Sequence, residues 1–257
     1  MLIALLTDFG LSGPYVGSMK GVILDIHPDA KIVDITHSIS PQNVDEAAFV
    51  LKSAYSFFPP GTLHVVVVDP GVGTPRAVLI VRTDRYVFLS PDNGVLKFIF
   101  HEHPAAEVFR VINERFFLKE VSRTFHGRDI FAPVAAYLSK GTSIEAMGEP
   151  FSEYIRGEVR EPMVSEQSMR GEIIYIDRFG NGITNIRADR LAGRDNVQIK
   201  VKSHVISKLS ETYSDVSPGE VLALPGSGGT LEISIHRGSA ENQMGLRIGE
   251  PVTVTWQ

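Results

Sequence analysis

The sequence predicts two domains: an α/β domain with a largely parallel sheet over residues 1–165, and a smaller all-β barrel domain over residues 166–257. Three observations lead there. From the N-terminus to Lys140, apolar runs of strand length alternate with segments of helical period. The run Leu63 to Val68 is continuously aliphatic, as expected of a strand covered on both faces. Beyond Gly171 the apolar runs are short and β-like, separated by glycine turns, with no segment of helical period.

The elements follow in order. Leu2 to Leu6 is a buried strand, and Val16, Met19, Ile23 and Ile26 then recur at helical spacing until His27-Pro28-Asp29. Lys31 to Ile35 is the second strand. Asn43, with Glu46 three residues on, gives a capping-box start to a helix whose apolar face is Val44, Ala47, Ala48, Leu51 and Tyr55. Pro59-Pro60-Gly61 ends it. Leu63–Val68, Ala77–Val81 and Tyr86–Leu89 are further strands, and a last helix runs from near Asp129 to Lys140, with Gly141 at C′. Glu149 to Met169 has the polar, aperiodic composition of a linker. Ile173–Ile176, Val197–Val201, Val221–Leu224, Leu231–Ile235 and Val252–Thr255 are the strands of the barrel.

Bulk composition narrows the function classes. A chain of 257 residues with 43% hydrophobic content can bury a sizeable core. A net charge of −5 argues against a broad nucleic-acid footprint. With no cysteine, disulfides, thiolate metal sites and cysteine nucleophiles are excluded. The apolar start Met1 to Leu6 stops at Thr7-Asp8 without a basic leader or small-residue cleavage site, and no apolar run approaches the about 20 residues of a membrane helix. A soluble, cytoplasmic protein is expected.

Four polar clusters follow apolar runs, where ligands of open α/β sheets bind. Asp8, in Leu6-Thr7-Asp8-Phe9-Gly10, has two acceptor oxygens for a ribose diol, or else caps the helix near Tyr15. Asp69 ends the aliphatic strand in Asp69-Pro70-Gly71-Val72-Gly73-Thr74-Pro75-Arg76, where the glycines allow close backbone approach; the alternative is a turn with a surface ion pair. Ser90-Pro91-Asp92-Asn93-Gly94 is first a turn signal, with Asn93 a candidate ligand contact. Thr124-Phe125-His126-Gly127-Arg128-Asp129 sets a histidine at the start of a helix, which disfavours imidazolium and keeps the ring neutral. Of the eight histidines only His101 and His103 are close together, flanking Glu102, and that spacing reads as a solvated loop; no metal site is predicted. No Gly-x-Ser-x-Gly elbow supports a serine hydrolase.

Taken together, the motifs resemble the S-adenosylmethionine hydroxide adenosyltransferases, relatives of the bacterial fluorinase and chlorinase. The resemblance rests on Thr7-Asp8-Phe9-Gly10, Pro14-Tyr15-Val16-Gly17, Asp34-Ile35-Thr36-His37, Asp69 to Thr74, Pro91-Asp92-Asn93-Gly94, Phe125 to Asp129, Asp177-Arg178-Phe179-Gly180-Asn181 and Asn185-Ile186. Each is weak alone, and eight in one order are specific. The resemblance implies an α/β domain and a small barrel domain, a homotrimer with active sites between subunits, and S-adenosylmethionine as substrate with no cofactor. It also implies an Asp–Arg–His set that activates water, here Asp69, Arg76 and His126. The halide-using branch has tyrosine in place of Asp69 and no histidine at His126, and the fluorinase has serine at Gly127 and tryptophan at Gln42, all of which favours water as nucleophile. By the same resemblance Asp8 holds the ribose, Phe179 and Asn181 the adenine, and Ser227 with the Arg237–Ser239 stretch the remainder. Where the fluorinase has an aspartate this chain has Gly13, so the amino group of methionine is left without an assigned partner.

The chemistry suits these residues. A sulfonium leaves as a neutral thioether without acid assistance, so the burden falls on holding and deprotonating a water in line with the C5′–S bond. Phe9 and Tyr15 would exclude solvent there. A non-catalytic adenosine or S-adenosylmethionine sensor is the alternative from another class, and it would not need all three of Asp69, Arg76 and His126.

Overall fold

The computed structural model describes residues 1–257, which divide into two compact units, Met1–Val159 and Arg160–Gln257. In the first unit strands β1 (Leu2–Thr7), β2 (Lys31–Thr36), β3 (Leu63–Val67), β4 (Val78–Arg82), β5 (Val87–Pro91), β6 (Glu107–Val111) and β7 (Gly148–Pro150) form one sheet in the order β2-β1-β3-β5-β4-β6-β7. Helices α1 (Tyr15–Ile26) and α4 (Ala132–Ser139) cover one face, where Met19, Ile23, Phe131 and Leu138 pack on Ile3, Leu5, Leu63 and Val65. Helices α2 (Val44–Ala54) and α3 (Lys97–Glu102) cover the other, with Ala47, Leu51 and Ile99 against Leu6, Val66, Val68 and Phe88. A short helix α5 (Ile144–Met147) leads into β7. Burial on both faces explains why β3 reads as an unbroken aliphatic run.

The sheet is mixed rather than largely parallel. β2, β1, β3 and β5 pair in parallel, whereas β4–β5, β4–β6 and β6–β7 are antiparallel. The reason lies in the connections. Only residues 83–86 join β4 to β5, far fewer than the dozen or so a parallel crossover needs. Thr83 closes that turn, its hydroxyl accepting the Tyr86 N–H at 3.0 Å. Residues 101–103 also differ from the expected loop. His101 and Glu102 end α3, and the Tyr55 hydroxyl donates to Glu102 at 2.6 Å. Burial and the neighbouring Glu102 carboxylate push the Tyr55 hydroxyl well above the ordinary phenol value.

At α2 the Asn43 side chain accepts the Glu46 N–H at 3.1 Å, as the capping signal predicts. The reciprocal half differs: the Glu46 carboxylate takes the Asn43 side-chain amide and the Ser40 N–H. The helix expected from Asp129 opens with a π turn over Gly127–Phe131 before α4 begins. Strands β6 and β7 and helices α3 and α5 were not among the elements read from sequence, and β7 falls where a linker was expected.

The second unit is an antiparallel, barrel-like sheet of β8 (Met163–Val164), β9 (Ser168–Ile176), β10 (Gly182–Arg187), β11 (Gln198–Val201), β12 (His204–Ile206), β13 (Val221–Pro225), β14 (Thr230–Ile235) and β15 (Pro251–Thr255). The strand path runs β12-β11-β15-β9-β10-β14-β13, and its two end strands approach each other, so the sheet nearly closes. Ile173, Ile186, Ile199, Leu231, Val252 and Trp256 fill its centre. One α-helix interrupts the expected all-β texture: α6 (Ala240–Met244), capped by the Ser239 hydroxyl on the Asn242 N–H at 3.2 Å. It is too short for a helical period to show in sequence. No helix of the protein is long and apolar enough to cross a membrane.

Phe88 is fully enclosed between sheet and helices, whereas Phe57 is 84% exposed. Phe88→Ala should lower stability by about 3–5 kcal/mol in urea denaturation, and Phe57→Ala should change it by less than about 0.5 kcal/mol. Equal losses would contradict this placement of the core.

Candidate active site

The chain leaves β3 at Asp69 and turns back within seven residues to Arg76, held by Thr74 N–H on the Gly71 carbonyl at 3.1 Å and Thr74 hydroxyl on the same oxygen at 2.7 Å. This return places the guanidinium on the carboxylate. Arg76 Nε lies 2.9 and 2.7 Å from the two Asp69 oxygens, and Nη2 donates to Asp69 Oδ2 as well. The side chains are 9% and 5% exposed, so this is a buried, forked pair rather than the surface pair of the alternative reading. Removing either partner would strand the other charge. The Arg76 guanidinium also stands 5.5 Å from the Phe131 ring centroid.

Arg76 Nη2 reaches His126 Nδ1 at 3.1 Å. A guanidinium only donates, so Nδ1 accepts, and the neutral ring carries its proton on Nε2. Burial lowers the His126 pKa, and the Arg76 cation lowers it further, outweighing the pull of Asp69, Asp129 and a hydrogen bond to the Ser122 backbone. The ring is neutral at pH 7, as expected, with burial and Arg76 as the causes. Three residues on, Asp129 is fully buried and accepts from Ser122 N–H at 2.8 Å, Ser122 hydroxyl at 2.6 Å and Arg128 Nε at 2.6 Å. Burial alone would raise its pKa, but the Arg128 and Ser122 bonds hold it below the usual carboxylate range. Asp129 thereby pins the segment that carries His126.

Two close approaches join these segments. Gly73 has φ +80°, and a Cβ there would stand 2.4 Å from the Arg123 carbonyl oxygen. Only glycine lets the Asp69 loop lie against the strand of chain leading to His126. Gly127 sits under the Phe9 and Phe125 rings, 3.2 Å from where its Cβ would be. Phe9, Tyr15 and Phe125 form a mutual aromatic cluster, with centroids 5.7, 5.7 and 5.1 Å apart.

The remaining candidates in this unit stand at neighbouring strand ends. Asp8 follows β1, and its Oδ2 accepts the Gln42 N–H at 2.8 Å. It does not cap α1, which begins after Pro14 with no side-chain cap. Asn93 follows β5; its amide donates to the Val68 carbonyl at 2.9 Å and its oxygen accepts the Val95 N–H at 3.2 Å. Asn93 therefore fastens the end of β3 beside Asp69.

In the second unit Asp177 organises the turn to Asn181, accepting the N–H groups of Phe179 and Asn181, both at 2.9 Å. Phe179 is 77% exposed on that turn. Ser239 lies beside it, since the Glu241 N–H donates to the Gly180 carbonyl at 2.9 Å, and exposed Arg237 precedes it in a left-handed conformation at φ +54°. Phe179, Asn181, Arg237 and Ser239 thus gather at one end of β14. Ser227 is in the hairpin at the other end of that strand and does not join them. Residues with no role read from sequence are Thr7, whose hydroxyl meets His37 Nδ1 at 2.9 Å across 30 positions, and Phe131 under Arg76. Separations of that kind leave no local signal. No group of three or more acidic or histidine side chains is placed to hold a metal ion.

A buried, charge-compensated Asp–Arg–His group beside an aromatic cluster lies at the carboxyl end of an α/β sheet, where ligands of such sheets bind. The comparisons agree in both units. Residues 3–148 match the N-terminal domain of the SAM hydroxide adenosyltransferases and residues 171–253 their C-terminal domain. A protein of Thermus thermophilus named (R)-S-adenosyl-L-methionine hydrolase is 34% identical over 254 residues, covering 96% of both chains. A protein of the same name from Methanocaldococcus jannaschii is 35% identical over 246 residues, covering 91% of this chain and 88% of that one. A fluorinase of Nocardia brasiliensis is more distant, at 26% identity, covering 98% of this chain and 96% of its own. A crystal structure of an uncharacterized conserved protein from Thermotoga maritima superposes with a TM-score of 0.92 at 39% identity, covering 99% of this chain and 100% of that one. The chain belongs to the SAM hydroxide adenosyltransferase family.

The lowered His126 pKa has a defined sign. Folding favours the neutral ring, so its contribution is fully present above the ordinary imidazole value near 6.5 and is lost as pH falls through the lower folded value. In an NMR titration His126 should titrate below 6.5, and Arg76→Gln should move its midpoint upward. An unshifted midpoint in both proteins would contradict the Arg76–His126 contact.

Proposed function

We propose that this protein hydrolyses S-adenosyl-L-methionine to adenosine and L-methionine, with Asp69, Arg76 and His126 as the catalytic group. The observation that carries the reading is the single hydrogen-bonded assembly of these three side chains, with Arg76 bonded to Asp69 and 3.1 Å from His126. Their charges sum to one cation, one anion and a neutral ring, so the group does not repel a cationic sulfonium. Asp69 keeps the guanidinium in place. Arg76, with a donor to spare, holds the water oxygen beside His126. The oxygen bonds to C5′ as the C5′–S bond breaks, and the electron pair leaves on sulfur as the neutral thioether of methionine. One water proton stays as the 5′-hydroxyl of adenosine, and the other leaves through the Asp69–Arg76–His126 group to solvent as the oxygen gains hydroxide character.

Substrate contacts extend this reading. Asp8 has Oδ1 left for a ribose hydroxyl, and Phe9 and Tyr15 wall off the sulfonium. Asn93 supports the Asp69 loop while remaining a candidate contact. Phe179 and Asn181 would bind adenine, with Ser227, Arg237 and Ser239 supplying the remaining contacts. The high exposure of Phe179 supports a homotrimer in which one subunit completes the pocket of its neighbour. No cofactor is needed, because the leaving group is already activated. The reaction is placed in the cytoplasm. Two relatives are named for the (R) sulfonium epimer, so this chain is proposed to prefer that epimer.

In ¹⁸O-labelled water the label should appear in the 5′-hydroxyl of adenosine. Label in methionine, or 5′-chloroadenosine as the main product in chloride, would overturn the reaction.

His126→Ala and Asp69→Asn should each lower kcat by about 10²–10⁴-fold with little change in substrate affinity. Arg76→Lys should also be impaired, since an ammonium lacks the planar fork. Near-normal kcat with collapsed affinity would make the group a binding device. Asp8→Ala should weaken adenosine binding by about 1.5–3 kcal/mol in calorimetry; unchanged affinity would remove Asp8 from the site.

A further inference from the structure

Behind Asp8 lies a chain of side chains that the catalytic group does not use. Lys20 donates to Asp34 Oδ2 at 2.6 Å, and Asp34 Oδ1 lies 3.1 Å from His37 Nε2. The buried His37 ring then meets the Thr7 hydroxyl through Nδ1 at 2.9 Å. The Nε2 contact is a charge–dipole contact rather than an aligned hydrogen bond, because Nε2 makes no bond of good geometry. It still orients the ring. A carboxylate facing Nε2 favours the tautomer with its proton there, which leaves Nδ1 to accept from the Thr7 hydroxyl.

Thr7 then has its proton committed to His37 and its lone pairs turned to the next residues. Its Oγ1 accepts the Phe9 N–H at 3.3 Å. The His37 carbonyl accepts the Gly10 N–H at 2.7 Å. The residues between, Asp8 and Phe9, are the candidate ribose acceptor and the aromatic wall. A second tie comes from the same β2–α2 connection, where Gln42, in a left-handed conformation at φ +64°, donates its N–H to Asp8. Thus Thr7, His37 and Gln42 hold the two carboxyl-end loops of β1 and β2 together.

We propose that His37 is a positioning residue for nucleoside recognition, acting through Thr7 to set the Asp8-Phe9-Gly10 turn. The proposal rests on the reading of Asp8 as the ribose contact. The geometry separates the two roles of the ring: an asparagine amide can sit near the place of Nδ1, and a glutamine amide near that of Nε2.

The test is a variant series with adenosine affinity by calorimetry, KM and kcat for hydrolysis, and the thermal midpoint measured on each protein. His37→Asn should keep adenosine affinity within about threefold of the parent. His37→Gln and His37→Ala should weaken it about tenfold or more and raise KM, with kcat at saturation changed less than KM. If affinity follows thermal midpoint across all three variants, or if Gln preserves it and Asn does not, His37 is not acting through Thr7 and the proposal is overturned. The parent protein separates the two readings. Failure of the parent to bind adenosine or release it from S-adenosylmethionine would overturn the proposed function itself, whereas a competent parent with indifferent His37 variants overturns only the positioning role.

Discussion

The buried ion pair of Asp69 and Arg76 is the constraint on which the functional end of the first unit depends. Both groups are withdrawn from water, so each is tolerated only because the other is bonded to it in a forked geometry. That requirement fixes the loop between them. It also fixes His126, whose Nδ1 takes the remaining direction of the same guanidinium nitrogen. One cation therefore sets the orientation of an anion and a neutral ring together, and the three side chains cannot rearrange independently.

The mixed sheet makes this pair possible. β3 and β4 are not neighbours; β5 lies between them. The loop from Asp69 to Ala77 must therefore cross over the carboxyl end of β5, and that end fastens both of its legs. Asn93 donates to the Val68 carbonyl on one side, and the Asp92 N–H donates to the Ala77 carbonyl at 3.0 Å on the other. Because β4 runs antiparallel to β5, it starts where β3 and β5 finish. The chain thus brings Arg76 back to the same end of the sheet as Asp69 without a crossover helix. An all-parallel sheet would have carried residue 76 to the opposite end of the strands.

Around this centre the supports are of different physical kinds. Asp129 uses charge-assisted hydrogen bonds to hold the turn before His126. Gly73 contributes by lacking a side chain where the Arg123 carbonyl needs the space. Phe9, Tyr15 and Phe125 contribute apolar area and edge-to-face contacts. The π turn at Gly127–Phe131 lets Gly127 pass beneath two rings while Phe131 enters the core and meets Arg76.

Much of this was legible in the sequence, and the boundary of what was legible is physical. Period and burial gave α1, α2, β1 and β3, because amphipathic faces and doubly covered strands imprint themselves on neighbouring residues. The Asn43 cap was readable for the same reason, since donor and acceptor are three positions apart. The motif order was enough to identify the family and to single out Asp69, Arg76 and His126. The direction of β4 against β5 is written in the few residues between them, too short for a parallel crossover, whereas the pairing of β4 with β6 was decided only by tertiary structure. The capping alternative for Asp8 was likewise settled only when Gln42, 34 residues away, took its carboxylate. The Thr7–His37 contact and the gathering of Arg237 and Ser239 beside Phe179 have no local trace at all. A sequence records what each residue requires of its near neighbours, and contacts between distant residues exist only once the sheet has brought the strand ends together.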